Sequence, residues 1–355
     1  MNMNHLILNC VGGHTSMGGI ADAAAAFRVG FTFPNELENW PYFDSQEKEE
    51  HFLASFPAAG IAKGFDSFAR YVKLFVAGLI DFEQQLRISD IELNNKTCLI
   101  LVLPDIPLLQ DYRKKLTTRF CQESQRILNF NFSAEENLKL VLDENGVAAS
   151  FNLAKQFIAE GRYENCIVGV IDSLIEFFTL TQLVRDGVLK TLDKPDGKVP
   201  GEASIFILLS GRTLKTDTVI FRNIPNQVKL HYGENDPLEY QISAKELTES
   251  ILTSIDSVPE ASLQKGTIYN SFTGAALDAS EISNAFIRAS TIFPINNWTK
   301  EYPAVSFGDV GVASLLLNIA LAYRAYCRNY SLGNLTMIIS QNISLYRSVL
   351  LMEKL

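Results

Sequence analysis

Apolar and polar positions along the chain follow two alternating patterns. Short apolar runs, many of them β-branched, are separated by longer segments in which apolar residues recur with helical spacing. The short runs predict strands at His5–Cys10, Cys98–Leu103, Leu138–Leu142, Cys166–Ile171, Ile205–Leu209, Val219–Phe221, Leu335–Ile339 and Ser348–Met352. Helical spacing puts Leu247, Ile251 and Ile255 on one helix face and gives Phe65 to Leu79 a broad apolar side. The alternation predicts an α/β fold with helices covering the sheets.

One pattern occurs twice. A run of small residues at Gly146–Ser150 opens an apolar helix to Ala159, and two strands follow it. A similar run at Gly311–Ser314 opens a helix to Ala325, which two further strands follow. Small residues allow close helix packing, although glycine costs about 1 kcal/mol relative to alanine in a helix. The repetition predicts a duplicated unit with two buried central helices between sheets.

Composition and charge narrow the possible partners. A chain of 355 residues with 47% apolar side chains can bury a large core. The net charge of -9, without a basic stripe, argues against nucleic-acid binding. The longest apolar stretch, Ala313–Ala322, is too short to span a bilayer. We therefore predict a cytoplasmic protein with no nucleic-acid partner and no membrane span.

Cysteine and histidine positions predict neither a metal site nor a cofactor. The five cysteines are scattered and include no C-x-x-C pair, which favours buried reduced thiols. No two of the four histidines have the spacing of a helical metal site. The glycines of Gly12–Gly19 match neither phosphate-binding motif, so a flexible connection is predicted there.

Three segments are similar to ketosynthases of the thiolase superfamily, and more closely to the chain-length factors of type II polyketide synthases. They are Gly161–Ser173, with its strand ending in Asp-Ser, Val199–Glu202, which reads Val-Pro-Gly-Glu, and Phe307–Ser314, which precedes a small-residue helix. The resemblance implies a thiolase-like duplicated α-β-α-β-α layered fold. Its halves would be residues 1–210 and 211–355.

The resemblance also implies that the catalytic positions of a ketosynthase are altered here. The nucleophilic cysteine, which needs a helix N-terminus to lower its pKa, is replaced by Glu144. The first histidine is replaced by Phe272, and the second by Gly308 or, with a shift of one residue, by Asp309. Pro303 stands where active members have a lysine. No catalytic residue is therefore predicted.

The function implied by the resemblance is that of a non-catalytic partner subunit. Such a chain would form a heterodimer with an active ketosynthase, receive an acyl carrier protein and shape the polyketide tunnel. Phe120, Phe130 and Phe132 are candidates for the tunnel or the interface. The strand from Cys166 to Ser173 is expected to meet its counterpart across the dimer axis. The segment Ser340–Tyr346 contains no glycine, unlike the glycine-rich loop of active members.

Two other functions remain open. The chain could be a thiolase-fold enzyme that hydrolyses or decarboxylates acyl thioesters with Glu144 or Asp309 as acid or base. It could also be a homodimeric binding protein that keeps the fold as a scaffold. For Glu144 itself, a structural role is favoured, because acidic side chains at a helix start satisfy free backbone N–H groups.

Overall fold

The computed structural model describes residues 5–43, 48–61, 64–129, 136–143, 145–214, 218–229, 244–341 and 346–355. Within these ranges the strands are β1 (Leu6–Thr15), β2 (Gly18–Gly19), β3 (Asn35–Phe43), β4 (Glu50–Ser55), β5 (Thr97–Leu103), β6 (Leu138–Leu142), β7 (Asn165–Ser173), β8 (Glu202–Ser210), β9 (Val219–Phe221), β10 (Asn226–Lys229), β11 (Thr267–Asn270), β12 (Thr299–Glu301), β13 (Leu335–Gln341) and β14 (Tyr346–Lys354). The α-helices are α1 (Ile20–Arg28), α2 (Ser67–Ile88), α3 (Pro107–Leu128), α4 (Gly146–Ala159), α5 (Phe177–Arg185), α6 (Lys245–Ile255), α7 (Ala276–Ala289), α8 (Ala304–Phe307) and α9 (Ser314–Cys327).

The main sheet contains two series of five strands with the same arrangement. One side of the main sheet runs β6-β5-β7-β8-β1, and the other runs β12-β11-β13-β14-β9. In the first series β5 lies parallel to β6 and β7, and in the second β11 lies parallel to β12 and β13. The two series join where β1 pairs with β9 in antiparallel orientation. The predicted duplication is confirmed, and the division at residue 210 stays a prediction.

The core lies in three layers, which are separated by the two series of strands. The central layer contains α4 and α9 and the inward side chains of the strands. Helices α2 and α3 cover one outer face, and α6 and α7 cover the other. Alternate residues of β5 face different layers, with Ile100 in the central core and Leu101 in an outer one. Strands buried on both faces read as continuous apolar runs, which explains why they were predictable.

Most predicted elements agree with the structure, but the flexible connection predicted at Gly12–Gly19 is wrong, because β1 continues along β8 to Thr15 and Gly18–Gly19 form β2. Every predicted strand is present, and helix α4 has the predicted bounds. The second small-residue helix begins as a 3-10 turn at Gly311–Ala313, and α9 starts only at Ser314. Close packing fixes β1 against α2, because a Cβ on Gly12 would lie 2.2 Å from the Cα of Phe82. The predicted α/β fold class is confirmed.

Strand β7 does not have the position expected for contact across a dimer axis. It pairs with β5 on one side and β8 on the other, so neither of its backbone edges is open. The expectation that the segment Cys166–Ser173 pairs with another subunit is therefore wrong. Among the described strands, β6 ends this side of the sheet and pairs only with β5. An open strand edge is what backbone pairing with another chain requires.

In the part of the chain described above, no helix is both long and apolar enough to cross a bilayer.

Candidate functional site

The three segments that carry the family resemblance meet at one place, which we call the junction. It comprises residues 172–174 at the end of β7, residues 198–202 at the start of β8, and residues 309–312 before α9. The Val312 N–H donates to Asp172 Oδ2 at 2.8 Å. The Gly201 N–H donates to the Asp309 carbonyl, and the Asp309 N–H donates to the Val199 carbonyl, both at 2.8 Å. Segments far apart in sequence thus form one hydrogen-bonded unit.

The backbone geometry and close packing of the junction require a glycine at position 311. Its φ of +57° lies in the left-handed region, which side chains other than glycine rarely adopt. A Cβ there would also lie 2.0 Å from Asp172 Oδ2. The small residue therefore lets the turn before α9 approach the carboxylate at the end of β7.

A buried ion pair holds the junction to helix α2. Glu202 is fully buried, and Arg70 donates to it twice, from Nε to Oε2 at 2.7 Å and from Nη2 to Oε1 at 3.0 Å. Ser173 Oγ donates to Oε2 at 2.7 Å, and the Ala58 N–H donates to Oε1 at 2.8 Å. The carboxylate is therefore neutralised and saturated with donors, as burial requires.

Sequence reasoning missed Arg70, although a signal for it was present. Arg70 precedes the buried Leu74 by one helical turn, so it lies on the apolar face of α2. A guanidinium on a buried helix face needs a carboxylate nearby, because long charged side chains are almost never fully buried unless they are paired. The segment Val199–Glu202 offered that carboxylate, but its contact with α2 is a tertiary one.

Asp309, the alternative equivalent of the second histidine, is already paired. Its Oδ2 lies 3.2 Å from Lys198 Nζ, and its Oδ1 accepts from the Gly311 N–H at 2.9 Å. The carboxylate is buried and the ammonium is largely so. Because both oxygens of Asp309 have partners, a general-base role would have to break this pair.

Glu176, which follows β7, is a second buried carboxyl that the sequence analysis did not identify. Its Oε2 accepts from the N–H groups of Phe178 and Thr179, both at 3.1 Å, and so caps the start of α5. Burial raises the pKa of Glu176, and the nearby negative charge of Asp66 raises it further. The two backbone donors act in the opposite direction and do not cancel the effect of burial.

An apolar cleft of about 530 Å³ lies beside the junction. Phe272 lines it, and the edge of the Phe272 ring contacts Tyr302 with ring centres 6.0 Å apart. Pro303 begins α8, which also contributes to the wall, and Gly308 ends this helix with φ +70°. A Cβ on Gly308 would lie 2.8 Å from the ring of Phe56, another lining residue. Phe272 thus lines the cleft, while Pro303 and Gly308 flank the helix whose residues Ala304 and Val305 line it.

Of the other predicted positions, the structure describes only Phe120. Phe120 is fully buried in the outer core under α2 and α3, where its ring centre is 4.5 Å from that of Phe75. It does not line the cleft, and its role at a tunnel or an interface stays a prediction. Glu144, Phe130 and Phe132 lie outside the described residues.

The cysteines are placed for packing. All five are free, and none lines the cleft. Cys98 and Cys166 face each other on paired strands in the central core, with their sulfur atoms 3.2 Å apart. The hydrogen bond between the two thiols, together with burial, raises the pKa of Cys166. The prediction of buried reduced thiols is therefore met by most of them, with Cys327 half-buried.

Comparisons with solved structures identify the fold. The oxazolomycin ketosynthase domain OzmH KS7 of Streptomyces albus JA3453 superimposes with a TM-score of 0.70 and 13% identity, over 99% of this chain and 74% of that one. The ishigamide ketosynthase/chain length factor gives 0.68 and 12%, over 98% and 99% of the two chains. AntDE:AntF, a type II polyketide synthase acyl-carrier protein in complex with its ketosynthase bound to the hexaketide, gives 0.68 and 12%, over 99% of each chain.

The chain matches no protein-family model and no curated protein sequence. At these low identities the structural likeness shows the fold, which is the thiolase-like fold of ketosynthases. The predicted ketosynthase-like fold is therefore confirmed. Among the described residues, no group of three or more histidine, cysteine or acidic side chains is arranged to hold a metal ion.

We expect Arg70→Met to lower the free energy of unfolding by about 3–5 kcal/mol, because it leaves the Glu202 charge buried without its partner. Arg87→Met is the matched control on the same helix, since Arg87 is exposed and pairs with Glu83 four residues earlier. This control should cost about 0.3–0.5 kcal/mol. Urea denaturation measures both. Equal losses for the two variants would contradict the role given to the buried pair.

We expect Glu176→Gln to change the pH dependence of stability. A carboxyl whose pKa is higher in the folded state than its unfolded value of about 4.3 binds its proton more tightly when folded. Its stabilising effect is therefore present at low pH and is lost as the pH rises through the folded pKa. The unfolding free energy of wild type minus that of Glu176→Gln should therefore fall as the pH rises from about 4.3 through the folded pKa of Glu176. Parallel pH profiles of the two proteins would contradict the burial effect.

Proposed function

We propose that this chain is a non-catalytic, chain-length-factor-like subunit that pairs with an active ketosynthase in a type II polyketide synthase and forms part of the wall of the acyl tunnel. The observation that supports this most directly is the cleft beside the junction. It is formed by the segments that would hold the catalytic histidines of a ketosynthase, yet Phe272 stands in its wall and no cysteine lines it. The described residues of its lining include no thiol and no imidazole.

Condensation needs groups that this cleft lacks. A thiolate must take the acyl chain, and histidines must stabilise charge during decarboxylation and condensation. The ring of Phe272 can neither donate nor accept a proton, and Gly308 has no side chain. Asp309 is held by Lys198. A chain built in this way can contact an acyl group but requires another subunit for the chemistry.

The edge strand β6 offers a surface for that subunit. Its backbone pairs with β5 on one side only, and the side chains after Leu138 are half-buried. The ishigamide ketosynthase/chain length factor, whose fold this chain shares, is named for a ketosynthase together with a chain length factor. We infer that β6 contributes to a heterodimer contact, that an acyl carrier protein visits the complex, and that the complex works in the cytoplasm.

The alternative function, in which a carboxylate catalyses hydrolysis or decarboxylation of an acyl thioester, has less support. Asp309, one candidate for the catalytic acid or base, is paired with Lys198. Glu144, the other candidate, lies outside the described residues. A homodimeric scaffold differs from the favoured proposal only in its partner. The experiments below distinguish the carboxylate enzyme and the homodimeric scaffold from the favoured proposal.

We expect the isolated chain to form no acyl-enzyme when it is incubated with an acyl carrier protein that bears an acyl thioester. No described cysteine lies at the cleft, and buried thiols with a raised pKa, such as Cys166, are poor nucleophiles. Intact-mass spectrometry measures the adduct, and an active ketosynthase is the positive control. A stoichiometric acyl adduct on any residue would contradict a non-catalytic role.

We expect the chain to form a stable heterodimer when it is co-expressed with a cysteine-bearing ketosynthase. The interface should withstand moderate salt, because apolar burial and backbone pairing are not screened as exposed ion pairs are. Light scattering at low and moderate salt measures the mass. Leu142→Glu on β6 should weaken association, while Thr299→Glu on the opposite edge strand β12 should not. A folded monomer or homodimer that binds none of the ketosynthases tested would refute the proposal.

A further inference from the structure

The walls of the cleft beside the junction are almost entirely apolar. Alanine, valine, proline and phenylalanine side chains supply most of the lining, with Phe56 and Phe272 the largest. The volume of about 530 Å³ falls within the range of roughly 300–1,000 Å³ that is typical of sites for small organic ligands. An apolar ligand would therefore gain free energy by leaving water for this space.

The polar side chains of the cleft share one property, since each can donate a hydrogen bond. They are Lys190, Thr273 and Tyr302. The Thr273 hydroxyl is buried and has no hydrogen-bond partner among the described residues. Burial raises the pKa of Tyr302, so its hydroxyl keeps its proton. The described part of the lining contains no carboxylate. A surface that offers donors and one ammonium is complementary to an acceptor with negative charge.

Lys190 is the one charged side chain among the described residues of the lining. Its side chain is exposed, and no ion pair of Lys190 is found within the described ranges. The backbone around it is fixed, because the Lys190 N–H donates to the Lys198 carbonyl at 2.9 Å. The ammonium is thus available to a ligand at a defined place beside an apolar space.

The apolar surface continues beyond the cleft. Phe33 and Val305 are 65% and 66% exposed, although large apolar side chains are usually buried. Phe33 precedes the lining residue Pro34, and its ring stacks on that of Phe31. The hydroxyl of Thr32 donates to the Val305 carbonyl at 3.0 Å, which holds this segment against α8. A ligand longer than the cleft would find an apolar rim here.

We propose that the cleft binds a free long-chain carboxylate, with its alkyl chain against Phe56, Phe272 and Val305 and its carboxylate beside Lys190. The Thr273 and Tyr302 hydroxyls supply further donors. This inference goes beyond the proposed pairing with a ketosynthase and does not depend on it, because every group involved belongs to this chain. It concerns a free acid, so it requires neither a thioester nor a covalent step.

Isothermal titration of the full chain with dodecanoate tests the proposal. We expect saturable binding of one dodecanoate per chain and no detectable binding of butanoate, which lacks the long alkyl chain. Lys190→Gln should weaken dodecanoate binding about two- to fivefold, which is the usual range for one exposed ion pair, and Lys194→Gln should not. Dodecanol should bind wild type more weakly than dodecanoate by a similar factor. No dodecanoate binding, or equal binding of acid and alcohol, would overturn the proposal.

A second variant locates the ligand without disturbing the fold. Val305→Glu places a negative charge at the exposed wall of the cleft and should weaken dodecanoate binding at least tenfold, through repulsion and lost apolar contact. Ile287→Glu is the matched control, because Ile287 has the same exposure of 66% and does not line the cleft. Circular dichroism confirms that both variants are folded. Equal affinity of the two folded variants would place the ligand elsewhere and overturn the assignment.

Discussion

The buried carboxylate of Glu202 is the constraint on which the arrangement around the junction depends. A charge in the core is tolerated only if ions and donors surround it, and here they come from three other parts of the chain. Arg70 lies on α2, Ser173 at the end of β7, and Ala58 in the segment after β4, and each donates a hydrogen bond to Glu202. Any shift of these elements would leave Glu202 without a partner. The pair therefore specifies one relative position of α2, β7 and β8.

The groups that hold the junction together are backbone amides, an arginine, a serine and carboxylates. Asp172 holds the turn before α9, and Gly311 gives it room. Of the positions that the family resemblance matches to catalytic residues, Phe272 lies in the wall of the cleft beside this unit, and Pro303 and Gly308 flank helix α8 of the same wall. The side chains at these positions contribute none of the hydrogen bonds described for the junction.

The cleft beside the junction is lined mainly by apolar groups. The aromatic side chain of Phe272 forms part of its wall and contacts Tyr302. Lys198 and Asp309 neutralise each other next to it, so no free charge of that pair faces a ligand. What remains is a space that can hold an alkyl chain, with Lys190 at its edge. This combination of groups favours the binding of an apolar ligand with a negatively charged end.

The sequence by itself determined eight of the fourteen described strands, the two small-residue helices and their duplication, because these follow from local periodicity and from strands that are buried on both faces. It also predicted the family resemblance on three short segments. Only the tertiary structure showed that these segments touch, that Arg70 neutralises Glu202, and that β6 rather than β7 ends the sheet. Such facts depend on contacts between residues far apart in the chain, and hydrophobic periodicity carries no information about which side chains meet.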